Sequence, residues 1–351
     1  MLVSVHDFNL YQTNSILVNV EKYTYNDSHM KKKNLFFRYS KENSPFWPIK
    51  VILLFSFAVI FLYVGGLFQQ KEEKVSVLSI TPTPTFPVPT PAPYPVNKND
   101  LYPADEITAR GVIVLDVDSH VYLFKRNDDM SLFPASTTKL LTALVALGEY
   151  TLDEIVEVTN PLQNGQLMGL VPGEKITVEN LLYGALIQSG NDAAYALAEH
   201  YKDGAEAFVL RMNEKAKALH MDQSHFTNPM GFDGVDHKVT PKDLSLLALA
   251  AIQNKTIAKM VAIPQITVSD VNHVHFHKLS NVNQLLGKIP GVGGIKTGWT
   301  EEAGENLITY IERNSRKIIV VVLHSKDRFG DTIKLIDWVF ENYQWENLIQ
   351  K

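Results

Sequence analysis

The 351-residue sequence contains no cysteine. This absence excludes thiolate catalysis, disulfide bonds and cysteine-ligated zinc sites. A basic excess is also missing, since 33 lysines and arginines stand against 38 aspartates and glutamates, giving a formal net charge of −5. We therefore expect no nucleic-acid partner, because nothing in the charge balance would hold a phosphate backbone. A hydrophobic content of 45% is typical of a chain with a sizeable globular core.

Charge is also absent from the eighteen residues between Val51 and Phe68. A helix of about this length just spans the hydrocarbon core of a bilayer. Basic residues precede the run, whereas the lysines after it are balanced by glutamates, so the positive-inside rule places the preceding segment in the cytoplasm. We predict a cytoplasmic segment over 1–48 and a transmembrane helix over 49–70 that contacts the lipid bilayer. The chain would then be a single-pass cell-membrane protein whose later residues are extracytoplasmic.

A cleaved signal peptide is the alternative interpretation of this apolar run. The run is longer than a usual signal core, its N-terminal flank is long, and no A-x-A cleavage site follows it. After the run, proline occupies nearly every second position over 81–96. Proline fixes φ and lacks an N–H donor, so this stretch favours a polyproline II spacer. We predict a Pro-rich extracytoplasmic linker over 71–100.

The remaining segment, 101–351, has the pattern of one folded domain. Strand patterns occur at 111–116 and 121–125, and again at 294–298, 306–312 and 317–324. Helical periodicity occurs at 137–147, 178–188, 193–201, 205–219, 241–251 and 331–343. Two strands, a helical middle, three strands and a last helix predict an α/β domain of the α+β type. Its antiparallel sheet would carry helices on both faces, with an additional helical subdomain.

Three short motifs in this domain carry polar residues suited to catalysis. They are Ser136-Thr-Thr-Lys139, Ser189-Gly190-Asn191 and Lys296-Thr297-Gly298. Taken alone, each motif is better explained as a helix cap or a surface strand. Their occurrence together, each in a fitting context, indicates a single site.

The first motif has the composition of a nucleophile with its base. Ser136 begins a predicted helix, where free N–H groups and the helix dipole favour developing negative charge. Lys139 lies one turn later on the same face and can reach the hydroxyl. A serine hydroxyl needs a base to become nucleophilic, and a neutral lysine can serve where no Ser-His-Asp arrangement is evident. The pKa of Lys139 must then fall from about 10.4 towards neutrality, and burial and the charge of Lys296 would both lower it.

The other two motifs predict substrate contacts. Asn191 can either aim its amide into a cleft or cap the following helix. The glycine-lined strand that carries Lys296 and Thr297 would let a substrate backbone pair with it as an added strand. The lysine and threonine would then offer a cation and a hydroxyl to a substrate carboxylate.

These stretches, PASTTK, QSGNDAA and GIKTGWT, resemble the penicillin-recognising serine enzymes, and among them the low-molecular-mass D-alanyl-D-alanine carboxypeptidases. The similarity covers roughly 101–343 and includes FTNPMG at 226–231 and NVNQ at 281–284. It implies the serine β-lactamase/penicillin-binding-protein-like transpeptidase fold. It also implies a serine-type D-Ala-D-Ala carboxypeptidase that trims peptidoglycan stem peptides, needs no cofactor and binds β-lactams as covalent inhibitors.

The resemblance also implies a role for each site residue. In the catalytic set, Ser136 attacks the penultimate D-alanine, Lys139 accepts its proton and Ser189 relays a proton to the departing D-alanine. The backbone N–H groups of Ser136 and Trp299 would hold the oxyanion. The substrate-binding residues would be Asn191, Lys296, Thr297, Gly298, Trp299 and Arg328.

Two other enzyme or binding functions share these motifs. A class A-like β-lactamase would need a glutamate in an E-x-x-x-N motif. The candidates Glu199, Glu206 and Glu214 are not followed by asparagine at the fourth position. A wall-binding or regulatory member of the same fold is the other alternative, although all three motifs are intact.

Three alternating histidines, His273, His275 and His277, raise the question of a metal. On a strand they would share one face, as zinc ligands could. The simpler interpretation is a polar solvent face opposite Val274 and Phe276. Because a serine mechanism has no need of zinc, we predict no metal site.

Overall fold

The computed structural model describes residues 3–9, 15–26, 29–40, 92–103 and 107–347, together with residues 52 and 56. The chain divides into two compact units, 1–88 and 89–351. The described part of the first unit is an antiparallel sheet of three strands in the order β1-β2-β3. These strands are β1 (Val3–Asn9), β2 (Ser15–Asn26) and β3 (His29–Ser40).

The predicted transmembrane helix over 49–70 lies outside the described residues, apart from 52 and 56. Residues 71–91 of the predicted linker lie outside them as well. Within the ranges that the structure describes, no helix is both long enough and apolar enough to cross a bilayer. Membrane insertion therefore stays a prediction from the sequence.

The second unit contains strands and helices in alternating groups. Its described strands are β4 (Tyr94–Asn97), β5 (Gly111–Asp116), β6 (Tyr122–Arg126), β7 (Ile155–Glu157), β8 (Lys175–Thr177), β9 (Gln265–Ser269), β10 (Phe276–Ser280), β11 (Val292–Thr300), β12 (Gly304–Arg313), β13 (Arg316–Ser325) and β14 (Tyr343–Glu346). Its described helices are α1 (Lys139–Glu149), α2 (Val178–Leu186), α3 (Asn191–Glu199), α4 (Gly204–Ala218), α5 (Pro241–Gln253), α6 (Lys255–Val261) and α7 (Arg328–Asn342).

The centre of this unit is a five-stranded antiparallel sheet in the order β11-β12-β13-β5-β6. Strand β5 reads as a continuous apolar run because it is buried on both faces. Ile113 and Leu115 belong to one hydrophobic core, and Val112 and Val114 to the other. Successive side chains of a strand point to opposite faces, so this division follows directly from the pleat.

Helices cover both faces of the sheet, as the sequence predicted. The core on one face contains Leu335, Ile336 and Val339 of α7. The larger core on the other face contains residues of α1 to α6. Strand β11, which carries the Lys296 motif, is at one edge of the sheet and is therefore open to an added strand.

Several short elements were not predicted from the sequence. They are the pair β7–β8, the hairpin β9–β10, helix α6 and the terminal pair β4–β14. Tyr94–Asn97 had been predicted as linker, but it pairs with Tyr343–Glu346 and so belongs to the folded unit. Strands of three to five residues give too few alternations for a pattern to be recognised.

Candidate active site

Ser136 lies in a 3₁₀ turn, Ala135–Thr138, that runs directly into α1. The sequence placed this serine at a helix start, and the structure confirms it. Ala135 has a φ of +49°, a left-handed conformation that is rare for a residue with a side chain. Asn306 of β12 holds the preceding segment, donating from Nδ2 to the carbonyls of Phe133 and Pro134 at 2.9 and 3.1 Å. The nucleophile is therefore fixed against the sheet.

Lys139 is fully buried, and its amine meets three oxygen atoms. Its Nζ lies 2.9 Å from Ser136 Oγ, 2.7 Å from Asn191 Oδ1 and 2.7 Å from the carbonyl oxygen of Met230. The last two atoms can only accept hydrogen bonds. A neutral amine has two N–H groups for these acceptors, and its lone pair then faces the Ser136 hydroxyl.

The electrostatic surroundings favour this neutral amine. Burial lowers the pKa of Lys139 well below its ordinary value of 10.5, and the positive charge of Lys296 lowers it further. The carboxylate of Asp192 opposes both effects. These two causes are the ones expected from the sequence.

Asn191 directs its side chain into the cleft instead of capping a helix. It is the first residue of α3, the N-cap position is occupied by Gly190, and no side chain caps this helix. Its Nδ2 donates to the carbonyl of Asn164 at 3.1 Å, which leaves Oδ1 to accept from Lys139. A side chain at Gly165 would collide with this amide, since an added Cβ would lie 2.4 Å from Asn191 Nδ2.

Ser189 and Lys296 form a second serine–lysine pair. The Lys296 amine donates to Ser189 Oγ at 2.8 Å and to the carbonyl of Thr297 at 3.0 Å. Both side chains are buried, and Ser189 has a φ of +63° at the corner before α3. Burial, followed by the charge of Arg328, lowers the pKa of Lys296 to about 7.

The predicted site residues meet at one cleft of about 540 Å³. It is lined by Ser136, Gly165, Gln166, Ser189, Asn191, Met230, Gly231, Phe232, Val282, Thr297, Gly298, Trp299, Thr300, Glu301 and Arg328. Lys139 and Lys296 lie beneath this surface and reach it through the two serines. The structure thus brings together the residues of the three motifs to which the sequence assigned catalysis or substrate binding.

Gly298 permits a close approach between the sheet and the nucleophile. An added Cβ would lie 3.1 Å from the backbone nitrogen of Ser136 and 3.0 Å from the carbonyl oxygen of Pro134. The Trp299 side chain is 62% exposed at the rim and leaves the cleft open. Arg328 begins α7 and donates from a guanidinium nitrogen to the Gly298 carbonyl at 2.9 Å. This bond places its guanidinium beside the Lys296 motif.

Sequence reasoning missed the Met230 carbonyl and the Asn306 amide. A backbone carbonyl has no residue-type signal, and Asn306 lies 172 positions from the carbonyl of Pro134. Of the acidic residues considered for a β-lactamase, none of Glu199, Glu206 and Glu214 lines the cleft.

The histidine prediction was wrong about which face is buried. His277 is buried on β10, whereas Val274 and Phe276 are 67% and 65% exposed. A carboxylate, Glu174, is available inside to pair with His277, and a partnered imidazole can replace an apolar side chain in the interior. His273 instead contacts Ser269 at 2.8 Å. Across the described ranges, no three metal-ligating side chains come together.

A serine at a helix start, a buried lysine beside it and the open edge strand of an antiparallel sheet together form an arrangement that can support acyl transfer to the serine. The model of the D-alanyl-D-alanine carboxypeptidase family of peptidases matches residues 98–327, and the chain belongs to this family.

Relatives and a solved structure agree with this assignment. The chain is 30% identical over 253 residues to D-alanyl-D-alanine carboxypeptidase DacF of Bacillus subtilis, covering 69% of this chain and 65% of that protein. It is 33% identical over 256 residues to DacB2 of Mycobacterium tuberculosis, covering 69% and 87%. The crystal structure of the Streptomyces K15 DD-transpeptidase superposes with a TM-score of 0.64 at 30% identity, covering 70% of this chain and 100% of that one. The chain therefore has the fold of the penicillin-binding DD-peptidases.

Proposed function

We propose that the chain is a serine-type D-Ala-D-Ala carboxypeptidase that trims peptidoglycan stem peptides through an acyl-enzyme on Ser136. One observation carries the proposal. The Lys139 amine has two acceptor-only oxygens at 2.7 Å, and its remaining neighbour, at 2.9 Å, is the Ser136 hydroxyl. A neutral Lys139 in this position can act as a base, and the Ser136 hydroxyl is the neighbour that can give it a proton.

Acylation begins with attack of Ser136 Oγ on the carbonyl carbon of the penultimate D-alanine, while the hydroxyl proton passes to Lys139 Nζ. The carbonyl oxygen becomes an oxyanion between the backbone N–H groups of Ser136 and Trp299. The glycine at position 298 leaves this approach unobstructed, since any Cβ there would crowd the Ser136 nitrogen.

Collapse of this intermediate breaks the peptide C–N bond. The departing amine takes a proton from Ser189 Oγ, which is replenished from the Lys296 amine at 2.8 Å. The carboxylate of the leaving D-alanine lies against Lys296, Thr297 and Arg328, where a cation, a hydroxyl and a guanidinium converge. A free C-terminal carboxylate is therefore the feature that this end of the cleft recognises.

Deacylation returns the enzyme to its starting state. Before deacylation, the proton that Lys139 took from Ser136 passes through water to Lys296, which gave up its own proton to Ser189. Lys139 is then neutral and accepts a proton from water as the water oxygen attacks the ester carbonyl. The C–O bond to Ser136 then breaks, and Lys139 returns this proton to Ser136 Oγ at 2.9 Å. None of the glutamates considered for β-lactamase activity lines this cleft, so we expect β-lactam adducts to hydrolyse slowly.

The test uses the full chain in detergent with a diacetylated tripeptide ending in D-Ala-D-Ala. We expect free D-alanine from the wild type and a single covalent penicillin adduct by intact-mass spectrometry. The Ser136→Ala variant should give neither product, whereas Ser28→Ala, in a chance Ser-x-x-Lys sequence, should give both. Absence of D-alanine release from folded wild type would refute the proposed activity.

We further propose that residues 49–70 anchor the enzyme in the cell membrane, with residues 1–48 in the cytoplasm. The support is the uncharged run and the basic residues before it. After alkaline extraction the chain should stay with the membranes, and protease added outside spheroplasts should remove the peptidase unit. A shorter species in the soluble fraction, beginning after residue 68, would support signal-peptide cleavage instead.

A further inference from the structure

A buried ion pair lies outside the catalytic cleft, between His277 of β10 and Glu174, the residue before β8. Their side chains are 5% and 0% exposed, and His277 Nε2 lies 2.7 Å from Glu174 Oε1. The other ring nitrogen, Nδ1, lies 3.2 Å from the carbonyl oxygen of Met168. The reaction proposed above makes no use of either side chain.

Both ring nitrogens of His277 face oxygen atoms that require a donor. The Met168 carbonyl can only accept, and so can the ionised carboxylate of Glu174, whose second oxygen accepts from the Val171 N–H at 3.1 Å. An imidazole that donates from both nitrogens carries a positive charge. The alternative is a neutral ring with the proton on Glu174.

The charged groups that face this imidazole are Glu174, at the start of β8, and Asp192, in the first turn of α3. The hydrogen bond from Glu174 raises the pKa of His277, burial opposes it, and the charges of Glu174 and Asp192 raise it further. The net direction is upward from the ordinary value of 6.5. The ion pair therefore contributes its full stabilisation below about pH 6.5. This contribution is lost as the pH rises through the pKa of His277 in the folded state.

The pair supports the segment 159–174, here called the cleft loop, which connects β7 to β8. His277 holds the Met168 carbonyl, and Asp192 accepts from the N–H groups of Met168, Gly169 and Leu170 at 2.9, 2.8 and 3.1 Å. Gln166 of the same loop, two residues before Met168, lines the cleft.

The cleft end of this loop contacts the catalytic machinery. The Gln166 carbonyl accepts from the Asn191 backbone N–H at 2.7 Å, and the Asn164 carbonyl accepts from the Asn191 amide at 3.1 Å. Asn191 is the residue that orients Lys139. The cleft loop thus contacts Asn191 through residues 164 and 166, and it contacts the ion pair through Met168.

We propose that His277 is a positioning residue whose doubly protonated form fixes the cleft loop through Met168, and whose deprotonation releases the Gln166 wall and weakens substrate binding. The kinetic consequence rests on the proposed peptidase function, whereas the effect on the loop does not. After deprotonation, the remaining N–H stays with the Glu174 carboxylate, and Nδ1 presents a lone pair to the Met168 carbonyl, so these two repel and the contact with the loop opens.

The Glu174→Gln variant removes the negative charge of residue 174 and keeps the size and shape of the side chain. The glutamine amide can donate to Nε2 of a neutral His277, its oxygen can accept from Val171, and Nδ1–H still donates to Met168. All the contacts remain, but none depends on a titrating histidine near neutral pH. Neither Glu174 nor His277 lines the cleft, so the catalytic groups are unchanged.

The first measurement is amide exchange of the cleft loop in the full chain at pH 6 and pH 9, corrected for intrinsic rates. Wild type should lose protection at Met168, Gly169 and Leu170 at pH 9, and Glu174→Gln should keep it. If Glu174→Gln does not fold, His277→Gln serves, because its amide donates to Glu174 at every pH. Equal protection of wild type at both pH values would overturn the proposal.

The second measurement is kcat/KM for the D-Ala-D-Ala peptide, taken as the ratio of wild type to Glu174→Gln from pH 6 to pH 9. Titrations of Lys139 and Lys296 cancel in this ratio because both enzymes contain them. We expect the ratio to fall about tenfold through a higher KM, the size of one charged hydrogen bond. A flat ratio contradicts the proposal, while absence of activity in both enzymes contradicts only the peptidase function and leaves the exchange result decisive.

Discussion

The cleft contains two serine–lysine pairs that are alike in composition and different in surroundings. Lys139 contacts Ser136 at 2.9 Å, Lys296 contacts Ser189 at 2.8 Å, and both lysines are fully buried. The Lys139 amine also contacts two acceptor-only oxygens of the protein, Asn191 Oδ1 and the Met230 carbonyl. The Lys296 amine has one further protein acceptor, the Thr297 carbonyl, and keeps a third donor for the cleft.

Residue type and burial are the same in both pairs, so they do not decide which lysine is the base. Ser136 lies in the turn that opens α1, beside Gly298 and the donors for an oxyanion. Ser189 lies at a corner before Gly190 and has no such position. Lys139 is therefore the neutral base, and Lys296 is the cation that faces a carboxylate and holds down the pKa of Lys139.

The largest expected difference is between the two serines. Ser136→Ala should abolish penicillin acylation and lower kcat by at least about 10³-fold, because it removes the nucleophile. Ser189→Ala should still acylate at Ser136, about 10²-fold more slowly, since it loses only a proton relay. Intact-mass spectrometry over time measures both. An adduct on Ser136→Ala, or its complete absence on Ser189→Ala, would make the two pairs equivalent and contradict the assignment.

Arginine substitution should distinguish the two lysines. Lys139→Arg should be as inactive as Lys139→Ala, because arginine stays protonated and cannot accept the serine proton. Lys296→Arg should keep a cation for the carboxylate and exceed Lys296→Ala by about tenfold in kcat/KM, mainly through KM. Steady-state kinetics of the four variants, with thermal unfolding as the control for folding, make the comparison. Recovery of activity in Lys139→Arg would exclude lysine as the base.

The dependence of activity on pH should also show the difference between Lys139 and Lys296, with a smaller effect. Activity rises with pH as Lys139 loses its proton, since only the neutral amine accepts one, and its lowered pKa brings that rise below the range of ordinary lysines. Activity falls above about pH 7 as Lys296 becomes neutral and binds the carboxylate less well. Lys296→Arg should move the falling limb to higher pH and leave the rising limb in place. An unchanged falling limb would remove Lys296 from carboxylate binding.

The parts of the fold that sequence reasoning predicted have strong local signals. The buried run of β5 and the helical periodicity after Ser136 depend on residues close together in the chain. The Ser136–Lys139 contact was predicted for the same reason, since a spacing of three brings two side chains together in any helix. The penicillin-binding architecture was then implied by the resemblance of the three motifs to a known family.

The parts that it missed depend on distant partners. The Met230 carbonyl reaches Lys139 across 91 positions, and no residue type marks a carbonyl. His277 was assigned to a solvent face because Glu174, 103 positions away, could not be recognised as its partner. Once that carboxylate is inside, the polar residue is buried and the apolar Phe276 is exposed, which inverts the usual alternation.

The protonation state of Lys139 is the central claim, and its titration can be measured directly. Carbon-13 NMR of the lysine Cε atoms in the full chain, with Lys139 assigned by its loss in Lys139→Ala, follows each amine with pH. We predict that the Lys139 signal titrates well below the ordinary lysine pKa of about 10.4, and that the buried Lys296 does so as well, at about 7. A Lys139 amine that titrates together with the surface lysines would contradict the mechanism, because it would be protonated whenever Ser136 has to react.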